Sequence, residues 1–110
     1  MKGIDPYIVS EADAGKTIQL KKGELMDVSL EGNLTTGFTW EVLVQDPVLV
    51  EQVGEPEYNP DSEKFGSPGN ITLHFKAIST GQTTLKLGYH RPWEKDVEPE
   101  RNFEFSLIVK

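Results

Sequence analysis

Cysteine is absent from the 110 residues, which excludes disulfides, thiol chemistry and any Cys-bearing zinc site. That absence assigns no compartment, because a domain of this length builds a core without cross-links. Histidine is scarce: His74 and His90 stand alone, without the paired spacing of a metal site. Basic residues are in deficit, eleven Lys plus Arg against eighteen Asp plus Glu, for a net charge of −7. An acidic surface repels phosphate backbones, so nucleic acid is not an expected partner. Lys21-Lys22 is the one adjacent basic pair. No apolar run approaches the roughly 20 residues that span a bilayer, so membrane insertion is not expected. Tyr7-Ile8-Val9 is too short to be the apolar part of a secretion signal, and localisation stays unassigned. Glycine-rich phosphate loops and a nucleophile-elbow serine are also missing. The acidic run "EKDVEPE" (94–100) lacks the alternating oxygen ligands around a glycine that a calcium loop needs. Neither an enzyme, nor a metal site, nor a cofactor is expected.

What the chain does have is alternation. Ile18 and Leu20 share one side of a short run, and Met26, Val28 and Leu30 share one side of the next. The pattern continues through Phe38, Trp40, Val42 and Val44, then Ile71, Leu73 and Phe75, then Leu85, Leu87 and Tyr89. It ends with Phe103, Phe105, Leu107 and Val109. Period-two alternation marks strands with one wet face, and no stretch carries a helix of ten or more residues. Turn signals at "KKGE" (21–24), "EGN" (31–33) and "STGQ" (79–82) separate the runs. Residues 46–54 read as a short strand without clean alternation. About seven strands with dense turns predict an all-β, immunoglobulin-like antiparallel sandwich, with Trp40, Phe75, Leu87 and Phe105 in its core. Residues 1–110 read as a single domain, with residues 1–14 a loosely packed N-terminal extension. His74 alternates with Leu73 and Phe75 and is expected to face solvent.

Three stretches exceed what turns require: "GNLTTGF" (32–38), "FGSPGN" (65–70) and "YHRPWEK" (89–95). Gly37 provides a backbone angle barred to side chains, and the Thr35 and Thr36 hydroxyls are small. Gly66 and Gly69 bracket Ser67 and Pro68, which leaves backbone groups open to a partner. Trp93 stands among charges beside Arg91 and Pro92, and exposed Trp and Arg are typical interface anchors. Trp93 folded back onto the sandwich is the competing reading. Loops after alternate strands of a sandwich share a pole, so an even number of strand crossings brings the three together. The uncertain strand at 46–54 decides that count.

The ordered triplet "NLTTGF" (33–38), "GSPG" (66–69) and "RPW" (91–93) resembles the chagasin-like inhibitors of papain-family cysteine peptidases. The likeness covers nearly the whole chain. It implies a monomeric, non-covalent, reversible inhibitor that fills a papain-family peptidase cleft with three loops. Asn33, Leu34, Thr35, Thr36, Gly37 and Phe38 form the first loop, Gly66, Ser67, Pro68 and Gly69 the second, and Arg91, Pro92 and Trp93 the third. Leu34 departs from the family pattern, which has proline there. The alternative is a carbohydrate-binding or adhesion module that stacks Trp93 on a sugar ring. A structural domain with an oligomer interface near Trp93 is a third reading.

Overall fold

The computed structural model describes residues 5–32, 37–60, 69–94 and 96–110. In chain order the strands are β1 (Tyr7–Val9), β2 (Thr17–Leu20), β3 (Leu25–Gly32), β4 (Thr39–Val44) and β5 (Val50–Gln52). They continue with β6 (Glu57–Pro60), β7 (Gly69–Ala77), β8 (Gly81–His90) and β9 (Arg101–Val109). One sheet has the order β1-β3-β7-β5, with β6 also on β7; the other has the order β2-β9-β8-β4. The predicted all-β, immunoglobulin-like sandwich is borne out. Its sheets are mixed rather than purely antiparallel, because β1 runs parallel to β3 and β2 parallel to β9. The N-terminal stretch supplies β1, whose Val9 is fully buried.

Each alternating run turns its apolar positions inward. Trp40, Phe75, Leu87 and Phe105 are buried together with Ile18, Leu20, Met26, Val28, Leu30 and Leu107. Val44 does not follow its run and is 50% exposed. A β-bulge after Val42 is the cause: Val42 pairs with Leu87, but Val44 pairs with Lys86. One extra residue in a strand reverses the facing of the residues beyond it.

The doubtful strand exists in two pieces. β5 pairs with the far half of β7 (Val50↔Ala77) and β6 with its near half (Tyr58↔Ile71). Both run antiparallel to β7, so they form one crossing interrupted around Gly54 and Pro56. The chain therefore crosses the sandwich twice between the first and second stretches, on β4 and on β5/β6. It crosses twice more, on β7 and β8, before the third. The ends that flank all three stretches meet at one pole: Gly32 pairs with Gly69, Gly69 with Pro60, and Thr39 with His90.

His74 is more than a solvent-facing strand residue. Its Nδ1 lies 2.8 Å from Asp27 Oδ1 on β3, and its Nε2 lies 2.5 Å from Glu57 Oε1 on β6. The imidazole thus links β7 to β3 on one side and to β6 on the other. The hydrogen bond with Asp27 raises its pKa above the ordinary 6.5; burial lowers it and the bond with Glu57 raises it again, leaving a net rise. A folded-state pKa above the unfolded one gives stability that is complete below the unfolded pKa and lost as pH rises through the folded one. His74→Gln is therefore expected to lower Tm clearly at about pH 6, with a smaller deficit at about pH 8.5. Thermal melts of both proteins at the two pH values check this.

Candidate functional site

The pole is built on a buried aromatic floor. Trp40, the second residue of β4, points inward, as do Tyr89 near the end of β8 and its register partner Arg101 at the start of β9. The Trp40 and Tyr89 rings lie 5.2 Å apart, centroid to centroid, at 38°. Phe38 comes from the end of the first stretch and stacks on Tyr89 at 5.2 Å and 28°. The Arg91 guanidinium lies 4.6 Å above the Phe38 ring, and that of Arg101 lies 5.2 Å from both Trp40 and Tyr89. A cation over an aromatic face is attracted by the ring quadrupole, by about 0.5–2 kcal/mol.

The first stretch is closed at its base across the two sheets. Trp40 Nε1 donates to the Glu31 carbonyl at 3.1 Å, and Arg101 Nη1 donates to the same oxygen at 3.1 Å. Asn33, Leu34, Thr35 and Thr36 lie outside the described residues, as do Gly66, Ser67 and Pro68. Gly37 has φ +86°, the left-handed conformation expected of it. A methyl group on Gly37 would collide with Trp93 Cη2, so the indole edge rests directly over this glycine.

Arg91 to Glu94 form a turn in which the Glu94 N–H donates to the Arg91 carbonyl at 3.0 Å. Pro92 occupies its second position, where a fixed φ near −65° is suited. The Arg91 guanidinium is 3.6 Å from the Glu94 carboxylate. The turn holds Trp93 out: it is 64% exposed while Trp40 is 2% exposed. Gly69, from the second stretch, is a buried strand residue rather than part of a loop. A side chain there would collide with the Asn59 carbonyl, so glycine lets β6 approach β7 closely. The first and third stretches therefore touch, through Gly37 with Trp93 and Phe38 with Arg91, and the second enters the same pole through Gly69.

Such a pole holds an exposed tryptophan and a turn-fixed arginine on rigid strands, which is what an interface anchor needs. Residues 19–107 match the model of the chagasin family peptidase inhibitor I42. The chain belongs to the chagasin family of peptidase inhibitors. It is 33% identical to chagasin of Trypanosoma cruzi over 106 residues, covering 90% of this chain and 94% of that protein. It is 30% identical to amoebiasin-2 of Entamoeba histolytica over 106 residues, covering 94% and 85% respectively. The crystal structure of the cysteine protease inhibitor EhICP2 from Entamoeba histolytica superposes with a TM-score of 0.81 at 27% identity, covering 94% and 95%. The protein is thus an inhibitor and not an enzyme. It acts on papain-like cysteine peptidases by reversible, non-covalent occlusion.

Arg101, beside the Tyr89 floor, lies outside the three stretches. Arg101 shares the odd-numbered parity of Phe103, Phe105, Leu107 and Val109, so the signal was present in the alternation itself. Gly37→Ala combines a disfavoured φ with a collision against Trp93, and is expected to destabilise the fold by about 1–3 kcal/mol. It should also displace the indole. A changed emission maximum together with a lowered Tm checks this; an unchanged spectrum and Tm would count against the contact.

Proposed function

We propose that the inhibitor enters the peptidase cleft with three loops presented from this single pole. Asn33, Leu34, Thr35, Thr36, Gly37 and Phe38 form the central loop, with Thr35 and Thr36 over the catalytic cysteine and histidine. Gly66, Ser67 and Pro68 run along the non-primed side, and the loop ends where Gly69 enters β7. Arg91, Pro92 and Trp93 pack on the primed side, with the indole against an apolar or aromatic surface. The reading is carried by one observation: Trp93 is 64% exposed yet seated against the first loop's Gly37. An indole that merely capped the sandwich would be buried.

The arrangement also accounts for inhibition without turnover. Cleavage needs the scissile carbonyl within about 3–3.5 Å of the nucleophile and aligned with it. A loop tied at both ends by Glu31 and Trp40 can fill the cleft while its carbonyls stay out of line. Two small threonines allow close approach. Leu34 offers an apolar contact in place of the stiffening that proline would supply, so its effect falls on potency and choice of peptidase. A single copy of the chain carries all three loops, so a monomer suffices.

Trp93→Ala is expected to weaken inhibition by about thirtyfold, equivalent to about 2 kcal/mol. Thr36→Trp is expected to block entry by bulk and to leave Tm nearly unchanged. Both are checked by titration against papain. A change below twofold for Trp93→Ala would contradict the role of the third loop. Unchanged inhibition by folded Thr36→Trp would contradict that of the first.

A further inference from the structure

We infer that Arg101, which lies outside all three loops, is a positioning residue for the inhibitory pole: it clasps the exit of β3 to the aromatic floor under the first and third loops. The inference rests on the three-loop reading above and adds to it a residue that never touches the peptidase.

Four contacts converge. Arg101 Nη1 donates to the Glu31 carbonyl, and the guanidinium lies 5.2 Å from the centroids of both Trp40 and Tyr89. The same carbonyl accepts from Trp40 Nε1 at 3.1 Å. Glu31 belongs to one sheet; Trp40, Tyr89 and Arg101 belong to the other. The clasp therefore fixes the gap between the sheets at the place where the chain leaves β3 for the first loop and returns on β4. A carbonyl oxygen has two lone pairs, and here two donors from the opposite sheet use it.

A planar guanidinium suits this position. It donates in its plane and offers its face to rings, whereas an ammonium is a compact, strongly hydrated charge. Beyond Tyr89 the stack continues through Phe38 to Arg91. The column thus has a guanidinium at each end: Arg91 in the third loop, and Arg101 at its root. Tyr89 also meets the start of the first loop, since a side chain on Gly32 would lie 3.2 Å from Tyr89 Cε1. A shift of Tyr89 or Glu31 is therefore transmitted to both loops.

Without Arg101 the loops sample more arrangements, of which only a fraction fits the cleft. Apparent affinity falls by that fraction. Arg101→Met keeps most of the apolar stem and removes the donor and the charge.

The test measures association and dissociation rates with papain, together with Tm, for wild type, Arg101→Met, Arg101→Lys, Trp93→Ala and the double variant Arg101→Met/Trp93→Ala. Arg101→Met is expected to raise Ki about tenfold, mainly through slower association, with Arg101→Lys intermediate. In the Trp93→Ala background the Arg101 effect should shrink to about threefold or less, because the loop it positions has lost its anchor. Should Arg101→Met not fold, Arg101→Lys carries the same comparison. A Ki within twofold of wild type for a folded Arg101 variant overturns the inference. So does a full, additive loss in the Trp93→Ala background, which would mark a role in stability alone. Failure of the loop reading looks different: Trp93→Ala itself would then inhibit like wild type.

Discussion

Tyr89 is the side chain on which the inhibitory pole rests. It is 8% exposed, stacks under Phe38, and tilts against Trp40. Its hold depends on closure of the two sheets above it, which falls to the Glu31 carbonyl and its two donors. Aromatic pairs of this kind add about 0.5–1.5 kcal/mol each beyond their buried area. The energies are small, but they act where the chain turns from scaffold into binding surface. Rigid support is what lets an exposed tryptophan contribute affinity instead of losing it to disorder on binding.

The placement of the loops comes from counting crossings. Two strand passages separate the first stretch from the second, and two more separate the second from the third. The interrupted β5/β6 passage matters most, because without it the second loop would emerge at the opposite end. Its break around Gly54 and Pro56 explains the weak alternation there: the chain leaves β7 before it rejoins. His74 spans this region, tying β3, β7 and β6 together just before the second loop begins. This passage is thus held by charge and hydrogen bonding in addition to the burial of Val50 and the packing of Tyr58 against the core.

Much of the scaffold was legible in the sequence. Alternation over 25–30, 71–75, 85–89 and 103–109 placed the right side chains inside, because a strand's facing depends only on parity. Parity fails where the ladder is irregular, so the bulge after Val42 turned Val44 outward unannounced. The parallel edge strands β1 and β2 were also illegible as such, since their partners lie far along the chain and no local signal names them. Gly37 was readable as a left-handed residue, but its second role, making room for Trp93, required the fold. Arg101 is not legible from the sequence as a site residue, because an arginine at a strand start resembles solvent-facing charge. The three motifs pointed to the family more directly than any periodicity, and their meeting at one pole supplies the physical sense of their order.

The central claim is that a scaffold-held wedge occupies a cysteine peptidase cleft without being cut. It is tested most directly by titrating papain with the protein at several enzyme concentrations and then determining the mass of the recovered inhibitor. The account predicts reversible, stoichiometric inhibition and an intact chain of 110 residues. A chain cleaved within the first loop as inhibition fades would contradict it. So would a lack of inhibition across papain and several cathepsin-like peptidases.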